Sequence, residues 1–265
     1  MVKYNSEDGA TKNYSKKYRT PDGYTSDIAL FTIISEDVGP YKPPSKTLKL
    51  MLIKRATKNA EGEPNIEGRK WALPGGFVQP DETAYEAAVR ELNEETGLES
   101  IKMKHFGTYD KPGRDIRGWI ITNAHYAIVP EVELSKRKAA DDAVEVKLFS
   151  LNEINKIELA FDHKDIIEDA IWFIKKDLAL TNVAKNFLPK EFVLSELRGV
   201  LMTVLDEPWI NVEPHFFRKI PSLPFIEKVV VNGVPKKSNK YSKKEAQLYR
   251  FNDFEPFVSV YNANY

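Results

Sequence analysis

Between Thr83 and Gly97 the chain spells out a helix with both ends marked and its charges badly placed for a helix standing alone. Thr83 followed by Glu86 makes a capping box, and Ala84, Ala87, Ala88, Glu91 and Leu92 favour helix. Gly97 suits the left-handed residue that closes such an element. At about 100° per residue, Glu91, Glu94 and Glu95 fall within one arc of roughly 100°, so three carboxylates share a face. Ala84, Ala87 and Ala88 continue that face with side chains small enough to lie close against a sheet. Like charges three and four residues apart repel by about 0.2–0.5 kcal/mol per pair. Glu94 and Glu95 also stand in the last turn, where the helix dipole disfavours anions. Two local rules broken at one place point to function. Hard oxygen ligands on one helix face suit Mg²⁺ or Mn²⁺, whose charge reverses the local electrostatic problem.

The residues before the helix run Trp71-Ala-Leu-Pro-Gly-Gly-Phe-Val, and Pro74-Gly75-Gly76 permits a tight backbone beside the carboxylates. From Gly76 the spacing reads G-x5-E-x7-R-E-L-x-E-E-x-G-L, through Glu82, Arg90, Glu91, Glu94 and Glu95. This pattern resembles the signature of the Nudix hydrolases, which cut nucleoside diphosphates linked to another moiety. The resemblance implies an α/β/α sandwich with a mixed sheet over residues 25–182. It implies Mg²⁺ or Mn²⁺ held by Glu91, Glu94 and Glu95, Arg90 orienting the acids together with Glu82, and the Gly76 backbone close to the metal.

The loop Lys111-Pro-Gly-Arg-Asp-Ile-Arg-Gly118 resembles a segment of ADP-ribose pyrophosphatase-like members, which makes ADP-ribose or a related compound the expected small molecule. Arg114 and Arg117 offer planar forks to its phosphates; their alternative is pairing with Asp110 or Asp115 on a surface turn. Trp71 and Phe106 could stack a nucleobase or serve as core. His105, His125 and His163 lack metal-ligand spacing and read as structural. No residue stands out as the general base.

Length of 265 residues suggests two domains, and Lys plus Arg equals Asp plus Glu at 39 each, so no global field draws the molecule to nucleic acid or membrane. The absence of cysteine excludes disulfides, zinc-thiolate sites and thiol nucleophiles. No apolar signal core opens the chain and no apolar run is long enough to span a bilayer, so a cytoplasmic location without membrane contact is expected. Residues 1–24 are polar. Strands are expected at 27–35, 47–55, 101–109, 119–129 and 144–149, and an amphipathic helix at 163–178.

Beyond residue 182 the character changes. Leu194, Leu197, Leu201 and Val204 stripe a helix over 192–205, and a second helix is expected over 211–220 with Pro214 near its first turn. Lys228-Val-Val-Val-Asn-Gly-Val predicts a hairpin with an Asn-Gly turn, and 246–251 a returning strand. Helix, helix, hairpin is the order of a winged helix, here over 188–255. Six lysines from Lys228 to Lys244 occur with no acidic residue among them. With Arg218 and Lys219, the lysines Lys236, Lys237 and Lys240 could contact the phosphates of double-stranded DNA; the alternative is a solvated lysine-rich loop. A Nudix domain followed by a winged helix resembles the Nudix-related transcriptional regulators of the NrtR group, on the segments 188–197, 217–220 and 248–251. That resemblance implies a homodimer. Phe217 stands where the group tends to have arginine, and Pro221 and Pro224 cut the recognition helix short. Two functions are therefore expected: a hydrolase carrying a DNA-binding domain, or a regulator whose Nudix domain senses a nucleotide with little turnover. The intact acidic pattern favours retained hydrolysis.

Overall fold

The computed structural model describes residues 19–58, 62–136 and 145–256, so the first 18 residues of the expected polar segment lie outside it. At its centre is β1 (Gly23–Glu36), four residues longer at its start than the sequence suggests. Ile28 and Leu30 face one side of the sheet while Ala29, Phe31 and Ile33 face the other, and all five are buried. A strand apolar on both faces needs a cover on both.

Strand β1 pairs in parallel with β6 (Ile120–Ile128), which pairs antiparallel with β5 (Met103–Tyr109). On its other edge it pairs antiparallel with β2 (Ser45–Lys54), but only from Leu30 onward. Over its first half that edge is taken by β4 (Gly75–Phe77) instead. Meanwhile β3 (Trp71–Ala72) follows the diverging end of β2. The segment from Trp71 to Phe77 is thus wedged where two central strands part. Strand β7 (Glu145–Ser150) completes the mixed sheet along β2.

The helix α1 (Ala84–Thr96) covers the Ile28–Leu30 face through Ala88 and Leu92. After the short α2 (Leu151–Ile154), the helix α3 (His163–Leu180) covers the opposite face through Ile166, Ile167, Ala170 and Ile174. The outcome is the expected α/β/α sandwich.

The C-terminal part is a winged helix, with shorter helices than the sequence suggests. Helix α4 (Leu194–Leu201) starts where Glu196 accepts the Val193 N–H at 3.0 Å. The second helix divides into α5 (Pro208–Asn211), opened by Pro208, and α6 (Glu213–Lys219), which a 3₁₀ turn containing Pro221 ends. Proline accounts for both boundaries. Strand β8 (Ile226–Lys228) pairs with β13 (Tyr249–Phe251), to which Phe192 is bridged. Between them, β9 (Val230–Val231) and β10 (Val234–Pro235) form the expected hairpin. Asn232 and Gly233 take φ of 51° and 79°, the two positive angles of a type I′ turn. Strands β11 (Lys237–Ser238) and β12 (Ala246–Gln247) extend the wing.

No boundary in packing separates the two parts. Phe192, Leu197, Val200 and Phe216 of the winged helix belong to the same buried cluster as Phe31, Leu50, Ile166 and Ile174 of the sandwich. Gly199 admits the close approach, since a Cβ there would stand 3.1 Å from the Lys46 side chain of β2. Among the described residues no helix is long and apolar enough to cross a membrane.

A shared core should melt as a unit. Phe192 is fully buried at the junction, and Phe192→Ala is expected to cost about 3–5 kcal/mol. Calorimetry should show one transition in the wild-type chain and one, shifted down, in the variant. Two separable transitions in the wild type would contradict the shared core.

Candidate functional site

Helix α1 is held as its sequence dictates. Thr83 and Glu86 exchange both bonds of the capping box, and Gly97 closes the helix at φ 71°. The three carboxylates then leave the helix in different company. Arg90 binds Glu82 with two nitrogens at 2.6 and 3.1 Å, Glu91 at 2.8 Å, Glu94 at 3.0 Å and the Phe77 carbonyl at 3.0 Å. Those bonds raise the Arg90 pKa, Glu82 contributing most, and they lower that of Glu82. Glu95 turns inward and accepts the Gly75 N–H at 2.9 Å. Burial pushes Glu95 up to about 8, with Glu91 and Asp27 adding repulsion against the Gly75 bond and the charge of Arg55. Burial also raises Glu91, against its bond to Arg90. Among the described residues no three Asp, Glu or His side chains converge as a metal cluster in this arrangement.

The backbone beside these acids is built for close contact. A Cβ on Gly76 would collide with the Glu91 carboxylate, and Gly75, at φ 152°, lies against the Ser26 carbonyl. Two of the acids, Glu91 and Glu95, thus present desolvated carboxylate oxygens beside glycine backbone, hard donors of the kind a divalent cation takes, while Glu94 stays exposed.

Next to the turn opens a cleft of about 210 Å³, lined by Asp27, Arg55, Gly75, Gly76, Arg114, Arg117, Phe161 and His163 among others. Arg114 is almost buried and binds Asp162 with two nitrogens, at 2.6 and 2.7 Å. Arg117 forks onto the buried Asp115. Both arginines thus have a carboxylate partner and still face the cleft; Asp115 was one anticipated partner of this loop, Asp110 was not used by either. Asp27 accepts from Thr122 at 2.9 Å and lies 4.0 Å from both Arg114 and His163. The His163 Nδ1 accepts the Leu73 N–H at 2.9 Å, so that nitrogen carries no proton, and the imidazole ties α3 to the Pro74-Gly75-Gly76 turn.

Trp71 does not line this cleft. It packs edge-on against Phe149 at 4.7 Å with the Lys54 ammonium over its ring, and Phe106 packs against Phe173 at 5.5 Å. Sequence reasoning missed Asp27, Arg55 and Phe161. Arg55 is only the last residue of the strand expected over 47–55, and it stands as a half-buried guanidinium bonded to neutral oxygens of Asn65 and Ile66. Burial, then the charge of Arg117, lowers its pKa.

On the winged helix, Arg218 and Lys237 are exposed, and among the described residues neither has an ion pair. Lys236 pairs with Glu191 at 2.6 Å, Lys240 with Glu196 at 3.7 Å, and Lys219 lies over the Trp209 ring at 5.2 Å. Phe217, partly buried, packs on Phe216 and is not a phosphate-facing residue.

Comparison with known proteins accords with this geometry. Residues 43–170 match the NUDIX domain and residues 184–251 the NrtR DNA-binding winged helix domain. A mutT/nudix family protein from Listeria innocua is 53% identical over 61% of this chain and 99% of its own, with a TM-score of 0.53. The chain belongs to the Nudix family and carries an NrtR-type winged helix. The "ADPR responsive transcriptional repressor NtrR" of Acinetobacter baylyi is 27% identical over 94% of this chain and 90% of its own. An ADP-ribose pyrophosphatase of Methanocaldococcus jannaschii is 43% identical over 47% of this chain, which spans 66% of that protein's length.

His163 makes the turn sensitive to acid. Burial lowers its pKa from the ordinary 6.5, so below that pH the unfolded chain takes up a proton that the folded chain refuses. Its contribution is complete above pH 6.5 and is lost as pH falls through the window down to the folded value. His163→Asn keeps an acceptor for Leu73 but cannot titrate. Denaturant unfolding at pH 7.5 and pH 5 should show a larger acid loss for wild type than for the variant; equal losses would refute the assignment.

Proposed function

We propose that the protein is a nucleotide-responsive DNA-binding regulator, in which the cleft takes ADP-ribose or a similar nucleoside diphosphate-linked compound and the winged helix takes double-stranded DNA. The observation that carries this reading is the single core running from the sheet beneath the cleft into α4 and α6. A ligand that stiffens the sheet side of such a core acts on the DNA side as well. The name of the Acinetobacter relative, which aligns along nearly the whole chain, supports the same reading. In it, Arg114, Arg117 and Arg55 face the diphosphate, and Arg218 and Lys237 are free to contact DNA phosphates. Lys219, Lys236 and Lys240 would have to leave their present partners to join them. Trp71 has no direct part in binding.

A second reading, hydrolysis of the bound diphosphate, is favoured by the intact set Glu91, Glu94 and Glu95 beside Gly76. These carboxylates would hold Mg²⁺ or Mn²⁺, which supplies neutralisation of the diphosphate and Lewis acidity. Arg90, anchored by Glu82, orients Glu91 and Glu94. The Gly75 N–H orients Glu95, and Gly76 keeps the backbone clear of Glu91. Arg114 and Arg117 align the phosphates against the acids. The two readings are compatible in one chain, which we place in the cytoplasm as a homodimer.

Two variants separate them. Glu94→Gln should reduce Mg²⁺- or Mn²⁺-dependent release of AMP from ADP-ribose by at least about 100-fold, while DNA affinity in gel shifts stays unchanged. A wild-type chain that binds ADP-ribose and releases no AMP would reject hydrolysis and leave the regulator. For the DNA face, replacing Arg218 and Lys237 together by alanine should lower the salt slope of DNA binding by about 1–2. Unchanged affinity and slope would remove the winged helix from DNA binding.

A further inference from the structure

Among the described residues lining the cleft, Phe161 is the one non-glycine residue with a positive φ. It sits at φ 50°, a left-handed conformation that a bulky side chain avoids. Such positions persist where the surroundings enforce them, and they gather at ligand sites. Around its ring stand the His163 imidazole, at 5.7 Å, and two cations. The Arg55 guanidinium lies 5.0 Å from the centre of the Phe161 ring and that of Arg117 lies 4.9 Å from it. Among the described residues, Arg117 has a carboxylate partner, Asp115, while Arg55 bonds to neutral oxygens. Two like charges thus share one aromatic ring inside a cleft, at a residue held in an unfavourable backbone state. Burial first, and then the charge of Arg117, lowers the pKa of Arg55.

The repulsion between the guanidiniums and the burial of Arg55 are both relieved by the same thing, an anion large enough to meet the two of them. We propose that Phe161 is a positioning residue for the ligand: its ring holds Arg55 and Arg117 together so that two linked phosphates are met at once. The proposal rests on the reading of the cleft as the nucleotide site. It makes the site selective for a diphosphate over a monophosphate, because a single phosphate gains little from a second guanidinium held at a set distance. Phe161 packs, partly buried, against the cluster of Ile53, Ala72 and Ala160.

The test is calorimetric titration of the full chain, in EDTA so that no metal ion carries the anion, with ADP-ribose and with AMP. Phe161→Leu should lose about tenfold in ADP-ribose affinity, as expected for two cation–ring contacts, and no more than about twofold for AMP. Phe161→Tyr, which keeps the ring, should restore the preference. Phe161→Asn suits the left-handed backbone and lacks the ring, so it should remain folded with the same selective loss, which guards against a merely unfolded leucine variant. A wild-type chain that binds neither compound would overturn the nucleotide reading of the cleft and the proposal with it. Wild-type binding with equal losses for both compounds, or with no loss, would overturn the positioning role alone.

Discussion

The close approach of the Gly75–Gly76 backbone to Glu91 and Glu95 is the contact on which the site depends. It brings a peptide N–H to a carboxylate that burial has driven up to about 8, and it leaves no room for a side chain at residue 76. The turn can occupy that place because β1 and β2 part at Leu30 and admit the segment from Trp71 to Phe77 between them. Three fixings hold it there. Glu95 grips Gly75, Arg90 grips the Phe77 carbonyl, and His163 accepts the Leu73 N–H. Sheet, acidic helix and closing helix each contribute one end of those bonds, so the α/β/α sandwich and the site are one construction.

What the sequence shows plainly is what is encoded in consecutive residues. The capping box, the left-handed Gly97 and the spacing from Gly76 to Leu98 lie within one helix and its approach, and they define α1 to the residue. The Asn232-Gly233 turn is equally local. What the sequence hides depends on contacts far along the chain. Arg114 meets Asp162, Lys236 meets Glu191 and Lys240 meets Glu196, over separations of 44 residues or more. No spacing rule marks such pairs. Asp27 reads as the start of a buried strand, Arg55 as the end of one and Phe161 as an aromatic before a helix. Only the tertiary fold gathers them into a cleft. The C-terminal helices were legible in kind and overestimated in extent: α4 ends at Leu201 although the apolar stripe runs on to Val204, and the helix expected over 211–220 starts only at Glu213, behind a separate turn opened by Pro208.

The two halves meet through packing and through a polar cluster around Glu196. Glu196 of α4 is buried at 7% exposure and accepts from Val193 and from the Tyr241 hydroxyl, with Lys240 at 3.7 Å. Lys46 of β2 is partly buried nearby, lowered in pKa by burial and supported by the charge of Glu196. A carboxylate in that position commits a lysine of the wing to the sheet side of the molecule. Exposed ion pairs contribute little on their own, but a pair anchored by a buried acid fixes where the wing can stand. In the proposed regulator, moving Lys240 toward a DNA phosphate would take it from Glu196 of α4, the helix that rests on the sandwich.

Linkage between the cleft and the wing is the central claim, and the most direct measurement is DNA affinity as a function of ADP-ribose. A fluorescent duplex selected by the protein from a random-sequence pool would be titrated with the chain at fixed salt, and anisotropy read with and without saturating ADP-ribose. The account predicts a change in Kd of at least about fivefold, absent with AMP. An identical Kd with and without ADP-ribose, in a chain that binds both, would contradict it.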